Sequence, residues 1–385
     1  MRAAVTLGLV VLLFLLTLSS LLFNSKWTYL DKSLFHWINS NDTVISIKFL
    51  TTKPTHLQVK KVILLWTPFF NSQEWERISL QKLNCSFSQC KITRDRNHFN
   101  YSDLVVFHWR DIKVHDLPPI HPPFQRWALF NLESPHHTPA AVLRALGDNI
   151  NWTATYRTDS DVFVPYGKLV PKNTNEVIRD ENCRNDQNIS DNNLVVWLVS
   201  NCETTSNREK FVEQLKRFIS VDVYGKCYGN ICYPVNPRDE CYKRLAQRYT
   251  FILSFENSIC KDYATEKLYM ALKMGLIPVV FGGANYSSFL PPNSYIDALN
   301  FSSPNNLANY LLTVSKSNKL VNSYQEWRKM FDVQPLSFRW FCDLCEKLST
   351  ERSERQSFHK FQELHRWWFD GAKCKKWVDN AIKLI

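Results

Sequence analysis

Apolar segments of strand length recur along this chain in two series, and a polar stretch with no apolar period separates the two. The first series includes residues 60–66, 102–109 and 126–134, and the second begins at residues 194–201. Continuous apolar runs of this length are typical of strands buried on both faces of a parallel sheet. Segments with a helical period, such as residues 207–220, alternate with them. The sequence therefore predicts two α/β domains, each built on a parallel sheet.

The most specific local pattern is YTFILSFENSICKDYATEKLYMALKMGLIPVVFGG, at residues 249–283. It predicts a buried strand, then a helix that starts at Asp262 or Thr265 and ends at Gly275, then a second buried strand. In open α/β sheets, ligands bind outside the carboxyl ends of the strands. Helix N-termini at that edge favour anionic groups. A nucleotide diphosphate is therefore a candidate ligand for this stretch.

Four side chains of this pattern suit such a ligand. Lys267 can neutralise phosphate, and Glu266 can accept hydrogen bonds from ribose hydroxyls. Tyr263 can stack on the ligand or donate a hydrogen bond, and Asn257 lies at the carboxyl end of the predicted strand. The same pattern also fits a capped surface helix with a Glu–Lys pair, so the residues alone leave both interpretations open.

Residues 3–23 carry no charge and consist mostly of leucine and valine. About 20 apolar residues span a bilayer core. A cleaved signal peptide has a shorter apolar core, of about 7–15 residues, and a small-residue cleavage site. We therefore predict a retained signal-anchor at residues 3–23, with a cytosolic tail at residues 1–2 and a luminal stem at residues 24–59.

The remaining composition agrees with a luminal, oxidising environment. Eleven cysteines are many for a cytosolic enzyme, and the odd number leaves at least one thiol free or paired with another chain. The net charge of +11 suits an anionic small substrate, and nucleic acid is not an expected partner behind a secretory anchor. Seven sequons are glycosylation candidates: Asn41, Asn84, Asn100, Asn151, Asn188, Asn285 and Asn300.

Residues 249–301 closely resemble the signature region of the α1,3-fucosyltransferases. The segments FNLESPHHTP, YRTDSDVFVPYG, VVWLVSNC and CDLC are similar to the same family and occur in the same order. The resemblance covers roughly residues 62–345. It implies a type II membrane enzyme of the Golgi with a GT-B fold, in which two Rossmann-like domains face each other across a cleft.

On this basis we expect an N-terminal acceptor domain at residues 60–180 and a C-terminal GDP-fucose-binding domain at residues 181–345. Residues 346–385 are expected to form a C-terminal tail.

The resemblance also implies the reaction. L-Fucose would pass from GDP-β-L-fucose to the 3-hydroxyl of N-acetylglucosamine in glycoprotein glycans, with inversion of the anomeric carbon. Glu133 matches the family's general base, although by itself it also fits a strand-end carboxylate. Arg208 matches a phosphate-binding arginine, although it also fits a helix-surface charge. The donor contacts that the resemblance implies are Arg208, Asn257, Tyr263, Glu266 and Lys267.

Asp159 and Asp161 form an Asp-x-Asp pattern, which can hold Mn²⁺ through hard oxygen ligands. A metal-dependent transferase is therefore the alternative mechanism. The resemblance implies no obligatory metal or other cofactor, although added Mn²⁺ can stimulate by pairing with pyrophosphate oxygens. Two other functions stay open, namely a catalytically weak or inactive glycan-binding protein on the same fold and a transferase of another nucleotide sugar. The acceptor, N-glycan core or lactosamine antenna, is also open.

Arg110 matches a family position that accompanies acceptor choice. Arginine there accompanies transfer to the 3-hydroxyl, and tryptophan accompanies additional activity on the 4-hydroxyl. A surface pair between Arg110 and Asp111 is the alternative interpretation.

The late Cys-x-x-Cys is tied by the resemblance to two cysteines of the N-terminal domain, so that Cys342 and Cys345 would pair with Cys85 and Cys90. By itself the motif also fits a zinc or redox site. Local pairing is expected for Cys202, Cys227, Cys232, Cys241 and Cys260, and the candidates for the unpaired thiol are Cys183 and Cys374.

Overall fold

The computed structural model describes residues 60–70, 78–172, 194–232, 238–351 and 359–385. The predicted cytosolic tail, signal-anchor and stem lie outside these residues. Within the described residues, no helix has the length and apolar character needed to cross a bilayer. Three further predictions fall outside them: Asn41, Asn188 and Cys183.

The first sheet is entirely parallel and has six strands in the described part of the chain. The order across the sheet is second, first, third, fourth, fifth and sixth strand. Every residue of the third and fourth strands is buried, as their continuous apolar sequences predict. The elements are β1 (Lys61–Leu65), β2 (Cys90–Thr93), β3 (Leu104–His108), β4 (Arg126–Asn131), α1 (Ala140–Leu146), β5 (Trp152–Thr155), β6 (Val162–Phe163) and β7 (Gly167–Pro171), the last lying outside the sheet.

The second sheet is also parallel and has five strands among the described residues. Its elements are β8 (Val195–Leu198), α2 (Arg208–Leu215), β9 (Val221–Tyr224), α3 (Arg238–Arg248), β10 (Phe251–Phe255), α4 (Glu266–Met274), β11 (Ile277–Phe281), β12 (Ile296–Asp297), α5 (Pro304–Ser315) and α6 (Asn318–Ser323). The strand order is β12-β11-β10-β8-β9. The expectation of two α/β units with parallel sheets is therefore confirmed.

The chain returns from the second sheet to the first. Strand β13 (Phe331–Pro335) pairs antiparallel with β7, and helices α7 (Trp340–Thr350) and α8 (Phe361–His365) follow. Strands β14 (Lys375–Val378) and β15 (Ala381–Leu384) form a final hairpin.

Helices α7 and α8 pack into the core of the first sheet, which differs from the expected domain boundary at residue 345 and the expected tail beyond it. Trp340 stacks on Phe130 of β4, with the ring centroids 4.5 Å apart. Trp368 is fully buried in the same core. The apolar face of α7 needs a partner surface, and the first sheet provides it.

Two disulfides fasten α7 to the first sheet. They join Cys85 to Cys342 and Cys90 to Cys345, the four cysteines that the resemblance links. Because all four sulfurs are in disulfides, the zinc and redox alternatives for the Cys-x-x-Cys motif do not fit the folded structure.

The other cysteines pair differently from the expectation in one respect. Two disulfides are local, Cys202–Cys227 and Cys232–Cys241. Cys374, a predicted free thiol, instead bonds to Cys260, which was expected to pair locally. Backbone hydrogen bonds explain this, because Lys261 N donates to Ala372 O at 2.8 Å and Lys375 N donates to Ile259 O at 2.8 Å.

Asn151 does not fit its prediction as a glycosylation site. Its side chain is 1% exposed and its Oδ1 accepts a hydrogen bond from Trp127 N at 2.8 Å. A glycan on this buried amide would disrupt the start of β4 and β5. The sequon asparagines Asn84, Asn100, Asn285 and Asn300 are exposed and stay candidates.

Candidate active site

Glu133 lies just beyond the carboxyl end of β4. Asn131 fixes its backbone, because Glu133 N donates to Asn131 Oδ1 at 3.2 Å and Asn131 Nδ2 donates to Glu133 O at 3.2 Å. The side chain is 21% exposed. Burial raises the pKa of the Glu133 carboxyl, and Glu266 adds to this, while Arg110 and Lys267 act in the opposite direction. The carboxyl group is therefore a stronger base than an exposed glutamate.

Arg110 faces Glu133 and not its sequence neighbour. Arg110 Nη1 lies 3.4 Å from Glu133 Oε1. Asp111 has other partners, since its carboxylate accepts from Phe70 N at 2.6 Å and pairs with His108 Nδ1 at 2.7 Å. The alternative of a surface pair between Arg110 and Asp111 therefore does not hold, and Arg110 belongs to the candidate site.

Helix α4 begins directly after the N-cap residue Thr265 and ends at Gly275, whose φ of 81° is left-handed. The other proposed start, Asp262, has a different role, because its carboxylate accepts from Thr158 N at 3.1 Å and Thr158 Oγ1 at 2.8 Å. The N-terminus of α4 thus lies at the carboxyl end of β10, where ligands bind in open α/β sheets.

Lys267 lies in the first turn of α4 and is tightly held. Its Nζ donates to Glu256 Oε2 at 3.0 Å and to Thr265 Oγ1 at 2.7 Å. Glu266 Oε1 is 3.8 Å away, and the Glu266 side chain is 39% exposed. Burial lowers the pKa of Lys267, but the Glu256 and Glu266 carboxylates outweigh it and leave the pKa above its ordinary value. Lys267 is therefore a firmly charged cation.

Arg208 is the first residue of α2 and is 3% exposed, so it is not the helix-surface charge of the alternative interpretation. Its Nη1 donates to Phe255 O at 2.5 Å and its Nη2 to Asn201 O at 3.1 Å. Its Nε is buried and has no hydrogen-bond partner among the described residues. Burial lowers the pKa of the Arg208 guanidinium, which stays charged because arginine does not deprotonate in proteins.

Asn257 follows Glu256 at the end of β10. Its backbone oxygen accepts from Ser206 N at 3.2 Å. Its Oδ1 is buried and has no partner within the part of the chain that the structure describes. Unpaired buried polar atoms are uncommon in native proteins, so Asn257 Oδ1 and Arg208 Nε are candidate contacts for a polar ligand.

Tyr263 has a more structural position than expected. Its ring is 2% exposed and packs against Tyr156, with centroids 4.9 Å apart, and Tyr166, at 6.3 Å. Burial raises the pKa of the Tyr263 phenol well above its ordinary value, so the group is neutral. The enclosed ring does not offer a face for stacking on a nucleotide.

The segments that follow β4 and β10 are in contact through two buried serines. Ser134 follows Glu133, Ser258 follows Asn257, and their Oγ atoms are 2.7 Å apart with both residues fully buried. Lys267 is close enough to Glu133 to lower the pKa of its carboxyl. The structure therefore brings the carboxyl ends of β4 and β10 together, with Glu133 and Lys267 near this contact.

Asp159 and Asp161 belong to separate networks of hydrogen bonds and ion pairs. Asp159 Oδ2 lies 2.7 Å from Arg157 Nη2 and 3.1 Å from Lys261 Nζ. Although burial acts to raise it, these cations lower the pKa of Asp159 to about 2. Asp161 Oδ2 accepts from Thr153 N at 2.8 Å and pairs with His359 Nε2 at 3.0 Å.

One cluster, His136 with Cys260 and Cys374, has metal-ligand spacing in the described chain. The two sulfurs are joined in a disulfide, so they are not thiolates and cannot act as ligands of that kind.

Sequence reasoning missed Glu256 as a site residue. The sequence places it at the end of a strand, next to Asn257, but gives no sign that it turns inward. Its carboxylate is 1% exposed and accepts from Thr265 N at 2.7 Å and from Lys267.

Two models of known protein families match the chain. "Fucosyltransferase, N-terminal" covers residues 58–167, and "Glycosyltransferase family 10 (fucosyltransferase) C-term" covers residues 189–367. The chain belongs to glycosyltransferase family 10. One family model matches the N-terminal half of this fucosyltransferase and the other matches its C-terminal half. The residues of the candidate site lie within the two matched ranges.

Curated relatives of this fucosyltransferase cover most of its length. It is 34% identical to alpha-(1,3)-fucosyltransferase C of Drosophila melanogaster over 83% of this chain and 80% of the relative. It is 37% identical to 4-galactosyl-N-acetylglucosaminide 3-alpha-L-fucosyltransferase 9 of Mus musculus, over 87% and 90%. The human protein of the same name is 36% identical, over 88% and 90%. The chain is therefore an enzyme of the α1,3-fucosyltransferase family.

A crystal structure of an α1,3-fucosyltransferase with GDP-fucose is similar in fold. The TM-score is 0.50 at 14% sequence identity, over 81% of this chain and 95% of the other. The fucosyltransferase described here thus has an α/β fold of the GT-B-like type.

Proposed function

We propose that this enzyme transfers L-fucose from GDP-β-L-fucose to the 3-hydroxyl of N-acetylglucosamine in glycoprotein glycans, with inversion at the anomeric carbon. The observation that carries the proposal is the contact of the two strand ends: Ser134, which follows Glu133, lies 2.7 Å from Ser258, and Lys267 is bound to the nearby Glu256. An inverting transfer needs one base for the acceptor and positive charge for the leaving diphosphate. These two sheets supply one each.

Glu133 is proposed as the general base. Its carboxylate takes the proton of the acceptor hydroxyl as the oxygen bonds to the fucose anomeric carbon. At the same time the bond from that carbon to the β-phosphate oxygen breaks, and GDP leaves with the electron pair. The raised pKa of Glu133 makes its carboxylate a stronger base for this step.

The leaving diphosphate is proposed to bind at the N-terminus of α4. Lys267 has a third ammonium proton beyond the two it gives to Glu256 and Thr265. Helix N-termini and fixed cations stabilise the negative charge that develops on a leaving phosphate. The unpartnered Arg208 Nε can donate to a diphosphate oxygen, and the unpartnered Asn257 Oδ1 can accept from a hydroxyl group of the nucleotide sugar.

No protein metal site is proposed for this reaction. Asp159 is paired with Arg157 and Lys261, and Asp161 is paired with His359, so each carboxylate already has a partner of its own. We expect activity to survive EDTA, with added Mn²⁺ acting only as a stimulant. A complete loss in EDTA that Mn²⁺ reverses would restore Asp159 and Asp161 as ligands.

The test of the whole proposal is a product analysis. The enzyme is incubated with GDP-fucose and a panel of acceptors that carry either lactosamine antennae or the N-glycan core, and the products are analysed by mass spectrometry. The names of the mammalian relatives specify a 4-galactosyl-N-acetylglucosaminide acceptor, which favours the lactosamine arm. UDP-sugars serve as the control donors. GDP-fucose binding without transfer to any acceptor would favour the inactive glycan-binding alternative.

A single-pass anchor in the Golgi membrane, with the catalytic part in the lumen, is part of the proposal. It rests on the apolar run at residues 3–23. A chain that starts near residue 60 retains both sheets and should be secreted in active form when it is given a cleavable signal. Retention of that shortened chain in the membrane would contradict the assignment of the anchor.

A further inference from the structure

Glu256 is the most deeply enclosed acid of the site. Its carboxylate is 1% exposed and accepts hydrogen bonds from three donor groups. Thr265 N donates at 2.7 Å, Thr265 Oγ1 at 2.9 Å, and Lys267 Nζ at 3.0 Å. All of these donors come from the N-terminus of α4, whereas Glu256 itself follows β10. The carboxylate therefore joins the strand end to the helix start.

The surrounding packing leaves Glu256 little freedom. A Cβ at Gly282, in the turn after β11, would lie 3.4 Å from Glu256 Cγ and 2.2 Å from Tyr286 Oη. The glycine therefore leaves room for the Tyr286 hydroxyl, and Glu256 packs directly beside it. No face of the carboxylate is left for a substrate, so Glu256 can act only through its neighbours.

We infer that Glu256 is a positioning residue for the donor diphosphate: it holds Lys267 in its charged form and aims the ammonium at the ligand. The inference rests on the proposed function, because it takes GDP as the ligand of Lys267. It adds a residue and a role that the sequence resemblance does not assign.

The physical argument concerns the cost of a partly enclosed ammonium. Lys267 is 20% exposed, and burial disfavours its charged form unless an opposite charge compensates. Glu256 is in direct contact, whereas Glu266 is 3.8 Å away and more exposed. Lys267 also interacts electrostatically with three other charged or titratable groups, Arg208, Glu133 and His137. Without the Glu256 charge, burial and Arg208 would favour loss of the Lys267 proton.

A purely structural role is the rival explanation, since Glu256 also caps α4 by accepting from Thr265 N. Loss of a cap lowers stability but does not change how many protons are bound with the ligand. Proton uptake on ligand binding therefore separates the two roles.

The experiment measures GDP binding to the full chain by isothermal titration calorimetry between about pH 7 and about pH 9, in two buffers of different ionisation enthalpy. The wild type should bind GDP with constant affinity and no proton uptake. Glu256→Gln keeps the shape and removes the charge, so it should take up close to one proton. Its affinity should fall by about tenfold per pH unit above the lowered pKa of Lys267.

Asp297→Asn is the matched control. Asp297 is a half-buried acid at the end of β12, and its Oδ1 accepts from Leu299 N at 2.9 Å, a bond that asparagine can keep. This variant should bind GDP like the wild type at every pH. A folded Glu256→Gln chain that binds GDP with the pH profile and proton count of the wild type would overturn the inference.

Glu256→Asp covers the case in which Glu256→Gln does not fold. It keeps the charge but shortens the side chain by one methylene, which moves the carboxylate away from Lys267 Nζ. We expect a smaller proton uptake in the same direction, and its absence would also overturn the inference. A wild-type chain that binds no GDP would overturn the proposed donor site itself. Normal wild-type binding that Lys267→Ala weakens, with no pH effect in either variant, would overturn the role of Glu256 alone.

Discussion

The two sheets bring opposite charges to the site and hold them differently. Glu133, at the end of β4, has one cation at 3.4 Å and a pKa raised by burial. Lys267 and Arg208, at the starts of α4 and α2, are each fixed by two acceptors at 2.5 to 3.1 Å. The difference agrees with the roles proposed for the two regions. A base must stay accessible to each acceptor, whereas groups that stabilise a leaving diphosphate work best when they are already in place.

The two regions also differ in their covalent links. The first sheet is joined to α7 by disulfides between cysteines 257 and 255 residues apart. Two of the disulfides around the second sheet span only 25 and 9 residues. The disulfides of the first region therefore join it to a distant part of the chain, whereas most of those around the second sheet link residues close together in the sequence.

Replacing the base should have the largest effect on catalysis. Glu133→Gln should lower kcat by roughly 10²–10⁴-fold, because no carboxylate is then present to take the proton from the hydroxyl of the acceptor sugar. GDP affinity, which belongs to the second sheet in this comparison, should change little. In the wild type, kcat should fall on the acid side with a pKa above that of an exposed glutamate, since protonated Glu133 cannot accept a proton. Steady-state kinetics across pH provide the check, and wild-type turnover by the variant at neutral pH would remove Glu133 from the mechanism.

Removing both long-range disulfides should have the largest effect on stability. Replacing Cys85, Cys90, Cys342 and Cys345 together by alanine should lower the free energy of unfolding by about 2–5 kcal/mol, because only the loss of both bonds opens the very long loop in the unfolded chain. The matched pair Cys232→Ala and Cys241→Ala opens a short loop and should cost less. Thermal denaturation of both variants tests the contrast. Equal losses would mean that the first region is no more dependent on its disulfides than the second.

Removing one cation of the second sheet should weaken the donor complex. Lys267→Ala should lower GDP affinity by about 10- to 100-fold, the value expected for one charge-assisted hydrogen bond of roughly 1.5–3 kcal/mol. Arg208→Ala should act in the same direction. Lys261→Ala is the control, because Lys261 pairs with Asp159 and is 41% exposed. Calorimetry that finds unchanged GDP affinity in both Lys267→Ala and Arg208→Ala would place the donor elsewhere.

The smallest expected effect concerns the acceptor side of the first sheet. Arg110 presents a guanidinium with five fixed donors next to Glu133, whereas an indole offers a flat face and one donor. We expect the wild type to transfer only to the 3-hydroxyl, and Arg110→Trp to gain some transfer to the 4-hydroxyl of acceptors galactosylated at the 3-position. Linkage analysis of the products measures both. If the wild type modifies such acceptors at the 4-hydroxyl as fast as those with an open 3-position, Arg110 does not set the linkage.

Much of the architecture could be predicted because its signals are local. The buried strands β3, β4, β10 and β11 are continuous apolar runs, and α4 has a capping threonine and a terminal glycine. Short or less apolar elements carry weaker signals, and strand β2, Cys90–Thr93, was not predicted. The return of α7 to the first sheet could not be predicted from periodicity. An apolar helix face shows that the helix packs against something, but not which surface it packs against.

The site shows the same limit. The residue types at Glu133, Arg208 and Lys267 suited the chemistry, but their meeting depends on the contact of two chain segments more than 100 residues apart. Glu256 is buried because its side chain turns toward α4. From the sequence alone, an acidic residue at the end of a strand is expected to be solvent-exposed. The Cys260–Cys374 pairing likewise follows from backbone hydrogen bonds that no spacing rule contains.

The return of α7 to the first sheet has a consequence for biosynthesis. Cys85 cannot meet its partner until Cys342, 257 residues later, has been made. At translation rates of about 5–20 residues per second, that interval is about 13–50 seconds. Throughout it, the surface of the first sheet that will receive Trp340 is uncovered and the early cysteines are unpaired. A chain that ends before residue 340 therefore lacks part of the core of its first sheet and exposes the apolar surface that α7 would cover.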